Sequence, residues 1–287
     1  MIEKCTLCPR KCKVNRYKTK GICGADYKIK VSNILLHKGE EPPISGKNGT
    51  GIVFFSGCPM KCIYCQNMGF SQKGIGKEIS IEKLADAFLK LQERGAHTLD
   101  LVTPTQYVPQ IIEALNLAKS KGFNIPVVYN TSSYENVETL KLLEGYVDIY
   151  LADIRYTNSM YGKIYSDVDN YWETAQESIK EMYRQVGAYN EEKRKGIIIR
   201  ILVLPNNVSG HFKALRFILE LDPNIPVSLM SQYIPHFSAK NDPLIGRKIT
   251  KTEYMEAVEY MEMLGLHGWI QLDEKEKLTT KAVDIEW

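Results

Sequence analysis

The sequence predicts an α/β protein, a partial TIM-like (β/α)6 barrel with a small Cys-rich lobe in front of it. From Gly51 onward, short apolar runs alternate six times with longer amphipathic segments, the signature of βα units around a parallel sheet. Each apolar run is nearly continuous, as a strand buried on both faces requires. The conspicuous polar residues fall just after these runs, at the carboxyl ends where parallel α/β sheets carry their chemistry.

The first strand is expected at 51–56, where Ile52-Val53-Phe54-Phe55 is wholly apolar. A helix follows at 80–94: Ser80 is a capping residue, Ile81, Leu84, Phe88 and Leu91 recur at helical spacing, and Gly95 supplies the stop. Strands at 98–102, 126–130, 147–154, 196–204 and 227–232 repeat the apolar pattern, with helices at 108–121, 135–143, 170–186, 208–219 and 252–265. Residues 1–47 are Lys-rich, hold four cysteines and run into Glu40-Glu41-Pro42-Pro43-Ile44-Ser45-Gly46, a stretch that should end any regular element. We therefore expect a metal-braced lobe at 1–47 and the barrel at 48–287.

A chain of 287 residues is long enough for a large core, and 44% hydrophobic and 25% charged residues exclude disordered, collagenous and fibrous classes. The net charge of +3 is small and evenly spread, so neither nucleic acid nor membrane is expected as a partner. The start, Met-Ile-Glu-Lys-Cys, is unlike a signal peptide, and no window approaches the roughly 18 apolar residues of a membrane span. A cytoplasmic location is expected. All seven cysteines, an odd number, lie in the first 65 residues, which fits metal binding in a reducing compartment better than a disulfide framework.

The strongest motif is Gly57-Cys58-Pro59-Met60-Lys61-Cys62-Ile63-Tyr64-Cys65, a Cys-x3-Cys-x2-Cys loop directly after the first strand. A [4Fe–4S] cubane has four irons, so three cysteines hold three and leave the fourth open to a chelating ligand. Zinc sites ordinarily take four ligands, and no fourth follows Cys65. Cys5-x2-Cys8-x3-Cys12-x10-Cys23 is a second metal signal, read as a second [4Fe–4S] cluster or a structural zinc.

At Cys58, Cys62 and Cys65, with the aromatic Tyr64 before the last cysteine, the sequence resembles the radical S-adenosylmethionine (SAM) superfamily. Cys5-Thr-Leu-Cys8, Gly21-Ile-Cys23, Glu40-Glu-Pro42-Pro-Ile-Ser-Gly46, Val102-Thr-Pro-Thr105 and Gly268-Trp-Ile-Gln271 extend the likeness to the group described as pyruvate formate-lyase activating enzyme-like. The resemblance implies the radical SAM fold, a [4Fe–4S] cluster on the three cysteines, and SAM chelated at the open iron. Reductive cleavage to methionine and a 5′-deoxyadenosyl radical, followed by hydrogen abstraction, is the implied oxidoreductase chemistry. It further implies a reductant such as flavodoxin or ferredoxin, and as target either a glycyl radical enzyme or a small molecule or peptide. A catalytically silent metal-binding or regulatory protein is the alternative of another class.

Activating enzymes of that group carry Gly-Gly-Glu after the second strand; here Thr103-Pro104-Thr105 stands there, hydroxyls without charge. Asn130-Thr131 and Asp153-Ile-Arg155 match positions that contact SAM in the group, and Arg200 matches an Arg near its ribose or carboxylate. Arg200 lies inside an apolar strand and must reach a carboxylate, a ligand or the strand end. Asp153 likewise needs a cation or donors to offset burial. Tyr64, Thr103, Thr105, Asn130, Thr131, Asp153, Arg155 and Arg200 are the expected cofactor-binding set. Gln232, Tyr233 and His236 close the last strand, and His37, His97, His211 and His267 lack a motif and are read as packing or surface.

Overall fold

The computed structural model describes residues 1–271 and the backbone of a short strand at 280–282; residues 272–279 and 283–287, the end of the expected barrel segment, lie outside the described residues. In chain order the elements are β1 (Ile29–His37), α1 (Pro42–Ser45), β2 (Thr50–Phe55), α2 (Met68–Ser71), β3 (Lys77–Ile79), α3 (Ile81–Glu93), β4 (Leu99–Val102), α4 (Val108–Ser120) and β5 (Val127–Thr131). They continue as α5 (Val137–Lys141), β6 (Ile149–Ile154), α6 (Ser159–Ser166), α7 (Tyr171–Val186), β7 (Gly196–Leu202), α8 (His211–Leu221), β8 (Val227–Met230), α9 (Lys251–Met263), β9 (Gly268–Ile270) and β10 (Thr280–Ala282).

The sheet runs β10-β1-β2-β4-β5-β6-β7-β8-β9, and β2 and β4 to β9 are parallel neighbours. The described strands do not close into a ring, so the architecture is the expected partial barrel. All six expected strands are present. β9 adds a seventh parallel strand, too short at three residues to stand out as an apolar run. Residues 29–37 of the segment expected as a lobe form β1, which pairs antiparallel with β2 at the sheet's edge. Its alternation of buried and less buried residues marks a strand with one face covered.

Helices cover the outside. Ser80 caps α3 by accepting from Lys83 N at 3.3 Å, as its position predicts. The connection after β6 carries α6, an extra helix before α7. Among the described residues no helix is long and apolar enough to cross a membrane.

Side chains of a strand alternate between faces, and the alternation sorts core from site. Tyr129, Tyr150, Ala152, Ile197 and Ile199 face the helices in one apolar cluster. Val128, Ile149, Leu151 and Ile198 form a separate cluster with Ile44 of α1. These four lie in the amino-terminal halves of their strands, so α1 plugs that end of the barrel. The Glu40–Gly46 stretch thus ends β1 as expected and then does something composition does not announce. Gly46, at φ +50°, is required there, because a Cβ would lie 2.5 Å from the His97 ring. Thr98 Oγ1 donates to the Ile44 carbonyl at 2.9 Å and pins the plug to the sheet.

Ile44 is fully buried, so Ile44→Ala should lower unfolding free energy by about 2–5 kcal/mol, read by urea denaturation. A loss below about 1 kcal/mol would mean the barrel floor refills without the plug.

Candidate active site

The same strands also carry polar residues: Asp100 on β4 and, nearer the carboxyl ends, Asn130 on β5, Asp153 on β6 and Arg200 on β7. Register puts Asp153 beside Arg200, and the side chains join. Arg200 Nε donates to Asp153 Oδ1 at 2.6 Å, Nη2 to Asn130 Oδ1 at 2.7 Å, and Nη1 to Glu40 Oε2 at 2.9 Å. Asn130 Nδ2 donates to Asp100 Oδ2 at 3.2 Å, and Arg155 Nη2 to Asp153 Oδ2 at 2.9 Å. Glu41 Oε2 stands 4.0 Å from Arg200 Nη1. Burial pushes the Glu40 carboxyl up to about 7 despite the opposing pull of Arg200, and raises Asp100, which is fully buried, well above its usual range.

The cysteine loop leaves β2 beside this network. Gly57, at φ +88°, makes the turn. All seven cysteines are free thiols. Ser166 Oγ donates to Cys62 Sγ at 2.9 Å, Met60 N to Cys58 Sγ at 3.4 Å, and Cys65 Sγ lies 3.2 Å from Ser71 Oγ. Burial raises the Cys58 and Cys62 thiols, while the nearby Arg155 charge lowers Cys62. Hydrogen-bond donors on two sulfurs, a hydroxyl within reach of the third and a guanidinium nearby suit thiolates that carry iron. The donor set therefore fits a three-cysteine [4Fe–4S] cluster. A buried donor, Arg155 Nε, has no partner among the described residues.

Of the expected residues, Asn130, Asp153, Arg155 and Arg200 come together in one network. Tyr64 packs in an aromatic cluster, its hydroxyl 2.6 Å from that of Tyr156 and its ring edge-on to Tyr233. Thr103 sits at the end of β4 with φ +54°, an outlier for a β-branched residue, of the kind that costs about 1–3 kcal/mol and gathers at functional sites. Thr105 and Thr131 turn elsewhere: each donates its hydroxyl at 2.6 Å to Glu135 Oε1. Sequence reasoning missed Glu135, which is buried and pushed up to about 7 by desolvation, and missed Glu40 and Asp100 as partners of Arg200 and Asn130. Tyr233 is buried, donating to the Ile245 carbonyl at 2.8 Å. Among the described residues Gln232 Nε2 reaches Met230 Sδ, at 3.7 Å. His211 is buried against Ser209, its imidazolium disfavoured by burial to about 4.

The second cysteine set lines one pocket: Cys5, Cys8, Cys12 and Cys23, with Arg10, Arg16, Pro59 and Thr105 among the other walls. Burial pushes the Cys8 thiol up to about 12. Among the described residues no three His, Cys, Asp or Glu side chains converge as ligands of a single metal ion. The two cysteine sets touch: Cys58 N donates to the Cys23 carbonyl at 3.0 Å, and Arg10 Nε to the Pro59 carbonyl at 2.9 Å.

The family model for the radical SAM superfamily matches residues 52–217. An uncharacterised protein of Methanocaldococcus jannaschii is 32% identical over 272 residues, covering 93% of this chain and 76% of that one. A radical SAM methyltransferase from Sphaerobacter thermophilus superposes with a TM-score of 0.52 at 15% identity, over 77% of this chain and 66% of that one. A domain of pyruvate-formate lyase-activating enzyme from Bacteroides vulgatus gives a TM-score of 0.43 at 18% identity, over 58% of this chain and 93% of that one. At 15% identity, the likeness to the methyltransferase shows the fold alone.

Glu135 sets a pH signature. Its carboxyl keeps a proton to about pH 7 in the folded chain, against an ordinary value of 4.5. The folded state thus binds the extra proton between those values, and stability falls as pH rises through that window. Urea unfolding at a series of pH values should show the fall, and Glu135→Gln should reduce its slope; an unaltered slope would remove Glu135 as a source.

Proposed function

This chain belongs to the radical SAM superfamily, and from that premise we propose that it is an oxidoreductase that abstracts hydrogen from its substrate, with Cys58, Cys62 and Cys65 as cluster ligands. Membership brings a [4Fe–4S] cluster and SAM as cofactors. When bound, the cluster supplies the electron that divides SAM into methionine and the 5′-deoxyadenosyl radical.

The observation that carries this reading is the set of three free, hydrogen-bonded thiols placed beside a buried network of opposite charges. The chain's own residues prepare that place. Ser166 and the Met60 amide direct donors at sulfur. Arg155 holds Asp153 with one nitrogen and keeps Nε for an anion, which suits the carboxylate of SAM. Asp153, with Asn130 next to it, is the matching acceptor side for the amino group. Arg200, fully engaged by Glu40, Asp153 and Asn130, positions Asp153 rather than reaching out. Thr103, at the strained end of β4, stands where the activating enzymes have their Gly-Gly-Glu.

Activation of a glycyl radical enzyme is the target reading that the group resemblance supports, with a small molecule or peptide as the second. The same reading makes Cys5, Cys8, Cys12 and Cys23 a second [4Fe–4S] cluster or a zinc site, and takes a flavodoxin or ferredoxin as reductant.

Anaerobic reconstitution with iron and sulfide, followed by a dithionite-driven assay, should yield 5′-deoxyadenosine from SAM, and the Cys58→Ala, Cys62→Ala, Cys65→Ala variant should yield none. Intact SAM under strong reductant would instead indicate the catalytically silent alternative. Arg155→Met should weaken SAM binding by about 10- to 100-fold, the loss of a hydrogen bond to a charged group; unchanged affinity by calorimetry would take Arg155 out of the SAM site. A persistent glycyl radical signal in electron paramagnetic resonance of a partner enzyme separates the two targets.

A further inference from the structure

The even spread of charge expected from the overall balance does not hold at the front of the chain. Residues 1–23 carry seven Lys and Arg against one acid, Glu3, while the whole chain is only +3, so the remainder is net acidic. Lys4, Lys11, Lys13, Lys18 and Lys20 are exposed, and among the described residues none of them forms an ion pair. Lys11 and Lys13 flank Cys12 with φ of 39° and 57°, a conformation that glycine adopts freely and lysine does not. Lysine there keeps a cation on each side of Cys12 in spite of the strain.

The segment that bears these lysines also carries the four thiols and one buried cation, with Lys11 N donating to the Cys8 carbonyl and Lys13 N to the Cys5 carbonyl. Arg16 is 1% exposed, with Nη1 3.9 Å from Cys5 Sγ and Nη2 donating to the Asp26 carbonyl. It has no carboxylate partner among the described residues. A buried guanidinium requires an anion nearby, and a metal centre held by four thiolates is one. That centre would adjoin the three-thiol loop, since the Cys23 carbonyl accepts from Cys58 N. A Cβ on Gly57 would lie 2.8 Å from that same carbonyl, so the contact leaves room only for glycine.

We propose that the lysine face of residues 4–20 docks an acidic one-electron carrier protein, which reduces the four-thiol centre on the way to the three-thiol loop. Each transfer oxidises the carrier by one electron and reduces the centre by one, with no group or proton moved. The inference rests on reading Cys5, Cys8, Cys12 and Cys23 as a second iron–sulfur cluster. An acidic redox partner is favoured over nucleic acid because the thiols sit inside the charged patch. Complementary charge acts mainly by steering encounter, and is weakened by salt.

The test uses the full-length Cys58→Ala, Cys62→Ala, Cys65→Ala variant, which isolates the front centre, reconstituted with iron and sulfide. Reduced plant-type ferredoxin is mixed with it and its reoxidation followed by absorbance. Reoxidation should slow as salt is raised, and should slow about tenfold or more when Lys4→Glu, Lys18→Glu and Lys20→Glu are added. The metal content should stay equal, and dithionite should reduce both proteins alike. With iron bound, rates indifferent to salt and to these reversals overturn the docking face and leave the centre standing. Zinc, or no metal, in place of iron overturns the reading beneath the proposal and the proposal with it. Tighter binding of a single-stranded oligonucleotide than of ferredoxin through the same lysines also overturns it.

Discussion

The structure depends on one buried cation, Arg200, at the centre of the barrel. Ile197, Ile198 and Ile199 precede it and Ile201 and Leu202 follow it in an otherwise apolar strand, and its guanidinium is only slightly exposed. An uncompensated charge there would cost about 3–5 kcal/mol, so its neighbours are constrained to be acceptors. Asp153 comes from the adjacent strand at the same register level, Asn130 from the strand beyond, and Glu40 from the segment that enters the amino-terminal plug. One side chain therefore ties three strands' worth of sheet to a loop 160 residues away. Pulling the plug out would break an ion pair as well as an apolar contact.

The same network explains why the site is polar without being open. Glu40, Glu41, Asp100 and Asp153 outnumber Arg155 and Arg200, and burial resolves the excess by raising Glu40 and Asp100 toward the neutral form. Asp153 is held between both guanidinium groups, with a partner on each oxygen. A group fixed in this way loses little freedom when a ligand arrives, which is the preorganisation that binding and catalysis use.

Legibility in the sequence followed interaction range. The six βα units were legible because each strand declares itself by its own apolar run, and the three-cysteine loop because its ligands lie within eight residues of one another. The unread parts depend on partners far apart in the chain. β1 lies in a segment whose composition points to a metal-braced lobe, β9 is only three residues long, and both are placed by pairing with β2 and β8. The demand of Arg200 for an acceptor could be stated from its setting, yet nothing local named Glu40. Thr105 and Thr131 look like ligands because they sit at strand ends; Glu135, thirty residues from one and four from the other, takes both hydroxyls.

That last contact bears on how the front segment and the barrel act together. Glu135 buries its carboxyl under the pocket of the four cysteines, where its charge also acts on Cys8, and the next residue, Asn136, donates through Nδ2 to the Thr6 carbonyl at 2.7 Å. Arg10 reaches the Pro59 carbonyl, and the Cys23 carbonyl meets Cys58 N. The front segment is thus held at two places, the β5 end and the cysteine loop, by hydrogen bonds to backbone on one side or the other. Backbone contacts of this sort specify position whatever side chains stand nearby. A metal bound by Cys5, Cys8, Cys12 and Cys23 would stiffen the segment that makes them, and through Cys23 it would set where Cys58 can place its sulfur.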